Sequence, residues 1–179
     1  MDSHEASSIV GGTVMINGLH HATIATHDID RIVNFYVDVV GFSIVSRGGW
    51  DVGHEDIDAL VGLPGSSCKA AMLQAGNCFL EIFEYLTPRG SPRDPDYPVS
   101  DAGFSHIGLN VSDIDAEYVR LAANGMRFHC PPMDVGPPGV LSATYGRDPD
   151  GNVVELVEVF SPRHPLYLAK APQPQFDDA

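Results

Sequence analysis

The chain has 179 residues, 44% of them hydrophobic, and its 24 acidic against 10 basic residues give a formal net charge of −14. That length suits one domain or two small modules folding as a unit, and that apolar content excludes disorder as the default. A surface so acidic repels phosphate backbones and anionic headgroups, so no nucleic acid and no membrane partner is expected; an anionic small molecule could still approach a bound cation.

The opening MDSHEASSIVGGTVMING has neither a basic n-region nor a long apolar h-region. Residues 1–17 are therefore expected to form a flexible leader, and the protein to be cytoplasmic. From His21 the stretch HATIA alternates, with Ala22 and Ile24 on one face and His21, Thr23 and Ala25 on the other. Asp28 stands where a helix N-cap is wanted and Gly41 where a left-handed C-terminal cap is wanted; between them Ile29, Ile32, Val33, Tyr36 and Val40 keep a 3.6-residue period. Extended segments are expected over 42–46, 69–75 and 77–85, the last two joined by a turn at Ala75-Gly76-Asn77. Residues 47–67 read as an insertion with a short helix around 55–62, ending before Pro64. In the strand that follows, Leu80 and Ile82 oppose Phe79, Glu81, Phe83 and Tyr85. Residues 87–102, rich in Pro, Asp and Ser, read as a linker.

Then the pattern starts again. HIGLNVSDID at 106–115 repeats HATIATHDID at 21–30, with Asp-Ile-Asp beginning seven residues after a histidine in both. A helix running to Gly125 is expected next, then strands over 126–129, 141–147 and 152–160, the last two joined by the turn Asp148-Pro149-Asp150-Gly151-Asn152. In the final strand Val154 and Leu156 oppose Val153, Glu155 and Val157. Residues 161–179 carry four prolines and no periodicity and are expected to form an extended arm. The expected fold is α+β: two tandem βαβββ modules, 18–86 and 103–160, with mixed and antiparallel sheets.

Each module thus opens on a histidine and closes on a glutamate inside an apolar run: His21 and Glu81, His106 and Glu155. Taken singly, a strand histidine is usually structural and a strand glutamate usually faces water. Two such pairs at equivalent places in a repeat are different, because buried carboxylates need partners. Two imidazoles and two carboxylates form a mixed N/O shell suited to one Ni, Co, Mn, Zn or Fe ion with positions open for substrate. His20 should point away from His21 by alternation and is expected to be structural. His27, His54, His129 and His164 have no counterpart in the repeat, although His54, beside Asp51 and Glu55, could reach a substrate from a lid. Cys68, Cys78 and Cys130 are odd in number and form no CxxC pair, which fits thiols in a reducing compartment.

The segments LHHATIATHDIDRIVNFYVDVVGF, FLEIFEY, FSHIGLNVSDID and DPDGNVVELVE, in this order, resemble the vicinal oxygen chelate superfamily, the glyoxalase-like group that includes methylmalonyl-CoA epimerase, extradiol dioxygenases and bleomycin-resistance proteins. The resemblance implies a cup around one divalent metal held by His21, Glu81, His106 and Glu155, with Glu155 or Glu81 as catalytic base, and a cup closed within one chain or across a homodimer. It implies a lyase or isomerase that stabilises an enolate during proton transfer on a small molecule. The alternatives are an Fe(II) extradiol-type dioxygenase using His21, His106 and Glu155, and a non-catalytic small-molecule binding protein. Glutathione-using members carry Arg four residues after the first ligand and Asn four after the second, where this chain has Ala25 and Tyr85. The hemithioacetal of glutathione is therefore expected to be a poor substrate. Phe79, Phe83, Tyr85, Val153 and Val157, with Trp50 from the insertion, are expected to bind an apolar or aromatic body.

Overall fold

A computed structural model describes residues 16–170; most of the expected leader and residues 171–179 of the expected arm lie outside the described residues. The first half runs β1 (His21–Ala25), α1 (Ile29–Asn34), β2 (Ser43–Trp50), α2 (Glu55–Val61), β3 (Ser67–Ala75) and β4 (Cys78–Thr87). The second runs β5 (His106–Asn110), α3 (Ile114–Ala123), β6 (Arg127–Phe128), β7 (Met133–Asp134), β8 (Leu141–Arg147) and β9 (Val153–Val159). Strand order is β1-β4-β3-β2 in one sheet and β5-β9-β8-β6 in the other, with β7 also on β8. In both, the histidine-bearing strand lies parallel to the glutamate-bearing one, at an edge of its sheet. The two expected βαβββ modules are present, with α2 inserted in the first and the two-residue strand β7 added in the second.

The helices cover the faces that alternation assigned to the core. Leu80, Ile82, Val154 and Leu156 are almost wholly buried, and they join Ile29, Ile32, Val33, Ile114 and Leu121 in one core cluster spanning both modules. After Asn34 the first helix widens into a π-helical turn, Phe35–Val40, ended by Gly41 at φ 97°. That change of pitch adds Phe35 to the buried set and leaves Val40 only half-buried, where a straight 3.6-residue period had placed Val40 in the core. Strand β2 extends past residue 46 into the expected insertion, because Arg47–Trp50 pair with Cys68–Ala71. Gly49 is required there: a Cβ would stand 2.0 Å from the Cys68 carbonyl oxygen.

A second glutamate in each closing strand points to the helix side. Glu84 Oε2 accepts the Ile29 N–H at 3.3 Å, and Glu158 accepts the Asp113 and Ile114 N–H groups at 3.0 and 2.8 Å. These carboxylates satisfy N–H groups that a helix start leaves without partners, beside Asp28 and Asp113, which accept from Arg31 and Ala116.

Polar contacts join the modules through the β8–β9 turn. Asp148, 1% exposed, accepts the Tyr36 hydroxyl at 3.1 Å, while Asp150 accepts the Thr26 hydroxyl at 2.5 Å and pairs with Arg31. Burial pushes the Asp148 carboxyl above its ordinary range, against the pull of hydrogen bonds from Asn152, Tyr36 and Asp150. Residues 88–105 form no strand or helix, and they are tied down by Arg147, whose guanidinium donates to the carbonyls of Pro95, Tyr97 and Gly151.

Candidate metal centre

The four expected ligands come together as two pairs. His21 Nε2 is 3.5 Å from Glu81 Oε2, and His106 Nε2 is 3.3 Å from Glu155 Oε2. Parallel pairing explains the approach: Glu81 lies opposite Thr23 and Glu155 opposite Gly108, each one alternate position along from its histidine. Among the described residues no three His, Cys, Asp or Glu side chains gather closely enough to hold one ion, so each pair is half of the expected set.

The far nitrogen of each imidazole is engaged in the same way. His20 Nδ1 stands 2.8 Å from His21 Nδ1, and Ser105 Oγ stands 2.7 Å from His106 Nδ1. In both modules the residue just before the histidine occupies Nδ1 and leaves Nε2 beside the carboxylate. That is the arrangement by which a ligand histidine is oriented and its tautomer fixed. His20 thus does not point away as alternation suggested: β1 begins only at His21, and the His20 ring folds back to stack on Phe79, centroids 5.1 Å apart.

Each carboxylate also has a neighbour that differs between modules. Thr23 Oγ1 donates to Glu81 Oε2 at 3.1 Å. Beside Glu155 stands Tyr145, its ring 5.0 Å from that of His106. Burial first, then the Glu155 charge and hydrogen bond, raise the Tyr145 phenol above its ordinary range. Sequence reasoning missed His20, Ser105 and Tyr145 as members of the site. The first two had a signal available, since each immediately precedes a candidate ligand.

Of the residues expected to bind a substrate body, Trp50, Phe83 and Tyr85 meet as three touching rings on the first module. Phe79 is drawn off to His20, Val153 is 2% exposed yet borders the cleft between the modules, and Val157 sits half-buried opposite Ala143. Between the modules lies a cleft of about 640 Å³, lined among others by Thr23, Ala25, Tyr85, Arg93, His106 and Asn152, so that strands β1 and β5 both border it. His27 also lines that cleft, whereas His54 is exposed just before α2. None of the three cysteines is paired. No helix among the described residues is long and apolar enough to cross a membrane.

Comparison with known proteins matches residues 18–156 to the family model described as the glyoxalase/bleomycin resistance protein/dioxygenase superfamily. A 2-epi-5-epi-valiolone epimerase from Actinomyces sp is 30% identical over 155 residues, covering 79% of this chain and 79% of that protein. A probable lactoylglutathione lyase from Synechocystis is 26% identical, covering 80% of this chain and 96% of that one. Among solved structures, a glyoxalase family protein from Bacillus cereus superposes with a TM-score of 0.72 at 20% identity, covering 86% of this chain and all of that one.

Proposed function

The chain belongs to the glyoxalase/bleomycin resistance protein/dioxygenase superfamily, and from that premise we propose that it is a metal-dependent lyase or isomerase moving a proton next to a carbonyl. The observation that carries the proposal is the doubled arrangement at the histidines. Each imidazole has Nδ1 engaged by the preceding residue and Nε2 within 3.5 Å of a carboxylate. Two imidazole nitrogens and two carboxylates fit a six-coordinate divalent ion of the Ni, Co, Mn, Zn or Fe type, held by His21, Glu81, His106 and Glu155. Such an ion, when bound, supplies Lewis acidity that acidifies a proton beside a chelating carbonyl.

The chain's own groups do the rest. Glu155 takes the substrate proton on Oε2, beside the Tyr145 ring and hydroxyl. Glu81, held by the Thr23 hydroxyl, keeps a fixed orientation and is the alternate base. Ala25 and Tyr85 stand where glutathione-using members carry Arg and Asn, which supports a substrate lacking that peptide. The epimerase name of one relative fits the same proton chemistry.

A homodimer completes the proposal. Among the described residues both histidine-bearing strands are sheet edges, and Leu19 and Phe104, each two residues before a ligand histidine, are 79% and 70% exposed. A second copy on those edges would bring His21 and Glu81 of one chain to a His106–Glu155 pair.

The test is isotopic. Cobalt- or manganese-loaded protein, kept anaerobic in D₂O with a panel of α-hydroxyketones, should place deuterium at the carbon beside the carbonyl of its substrate. If no exchange occurs there and iron-loaded protein in air consumes O₂ matched to product, the chain carries out oxidative ring cleavage instead.

A further inference from the structure

The sole tryptophan of the chain sits in the insertion that distinguishes the first module from the second. Trp50 ends β2, and its ring meets Phe83 and Tyr85 of β4 at centroid distances of 5.6 and 5.9 Å; Phe83 and Tyr85 lie 5.7 Å apart. All three contacts are edge-on, between 77° and 90°, so each ring sets its positive edge against the negative face of another. The corner stands on the Glu81 face of β4, two and four residues along from that carboxylate.

A hydrogen-bonded relay holds the indole in place. Trp50 Nε1–H donates to Ser66 Oγ at 2.8 Å, and the fully buried Ser66 hydroxyl donates to Asp58 Oδ1 at 2.6 Å. Asp58, on α2, also accepts the Gly65 and Ser66 backbone N–H groups at 2.6 and 2.8 Å. The Ser66 hydroxyl first, then those two N–H groups, hold its carboxyl below the ordinary range. A charged acceptor anchors the relay, and charge-assisted bonds are the stronger kind.

The corner itself is neutral. Cys68 lies between Trp50 and Tyr85 in strand register, and burial pushes its thiol up to about 11. Burial also raises the Tyr85 phenol, with the Cys68 and Glu81 charges adding to it. Neither group carries charge at neutral pH, so the corner suits an uncharged body.

We propose that Trp50, Phe83 and Tyr85 form a specificity wall for the neutral ring of a chelating substrate, and that Asp58 and Ser66 are the positioning residues that aim the Trp50 indole. The ligand class is an uncharged ring bearing a chelating pair of oxygens, with its ring against the wall and its oxygens toward His21 and Glu81. This rests on the metal reading above for the oxygen end only. The insertion thereby makes the two halves of the site unequal, giving the first module the substrate body.

Two probes separate ring from chelate: tropolone, a planar ring with adjacent oxygens, and acetohydroxamate, a chelator with no ring. With cobalt-loaded full-length protein, both should shift the cobalt d–d bands. Ser66→Ala and Asp58→Asn should weaken tropolone about tenfold, roughly the size of one aromatic contact, and leave acetohydroxamate within about twofold. Equal losses for both probes, or unchanged tropolone affinity, overturn the proposal. If neither probe moves the cobalt bands in the wild-type protein, the metal reading fails, and acrylamide quenching of Trp50 in metal-free protein decides the wall. Tropolone should then shield Trp50 in the wild type and not in the two variants; no shielding in the wild type overturns the wall.

Discussion

A histidine makes a good ligand when its second nitrogen is already committed, and this chain commits that nitrogen twice, through His20 and Ser105. Ser105→Ala and His20→Ala should each weaken divalent-metal binding by about 10- to 100-fold while leaving the fold intact, as read by equilibrium dialysis and circular dichroism. His21→Ala and His106→Ala should remove most of the metal; stoichiometric metal in either, by elemental analysis, would refute the ligand assignment. A different residue yields a pH prediction. Cys68 is buried and its folded thiol is raised from 9.0 to about 11, so its neutral form contributes stability that is complete below pH 9 and is lost as pH climbs through about 11. Alkylation by iodoacetamide at pH 8 should spare Cys68 and reach the half-exposed Cys78 and Cys130 first. At this scale the four candidate ligands were legible because the repeat sets His and Glu at matching strand positions. His20 was misjudged because it precedes the strand, where alternation gives no direction. Tyr145 was hidden because its place opposite Glu155 depends on the β8–β9 register, which no single residue reveals.

Among the elements, the helix starts bear on stability most directly. Glu84 and Glu158 each accept backbone N–H groups at the head of a helix, from the face opposite the candidate ligands Glu81 and Glu155. Glu158→Ala should cost about 1 kcal/mol in urea unfolding, the usual size of a lost side-chain cap at a helix start, with metal affinity nearly unchanged. A large loss of metal with unaltered stability would reverse the roles of the two glutamates. The signal was present as a glutamate three residues after Glu81 and again after Glu155, since an odd spacing along a strand turns a side chain to the other face. Strand and helix positions along the chain were legible from alternation, caps and turns, whereas the order of strands within each sheet was not. The π-helical turn at Phe35–Val40 was not, because an apolar period read at 3.6 cannot show a local change of pitch. Nor was β7, whose two residues are too few to alternate.

Among the described residues the candidate donors stand as two separate pairs, each with its histidine on an edge strand and its glutamate on the next strand in, and how two such pairs meet is not encoded in local sequence pattern. Mixing His21→Ala with His106→Ala protein through unfolding and refolding tests where the pairs meet. If they meet across two chains, half the dimers are mixed and one of the two sites in each is intact, so bound metal should return to roughly one quarter of the wild-type level. No recovery would place the quartet within one chain.

The shared core has a further consequence, for ancestry and for dissection of the chain. Ile29, Ile32, Leu80, Ile114, Leu121 and Leu156 belong to one cluster, and the β8–β9 turn fastens Tyr36, Thr26 and Arg31 of the first half to the second. Neither half therefore owns a complete interior. A half-length polypeptide of this pattern would leave its helix side wet unless it met another like itself, which is what duplication of a self-pairing single module requires. Fragments 1–100 and 101–179 should accordingly stay unfolded when produced alone and recover native circular dichroism when refolded together.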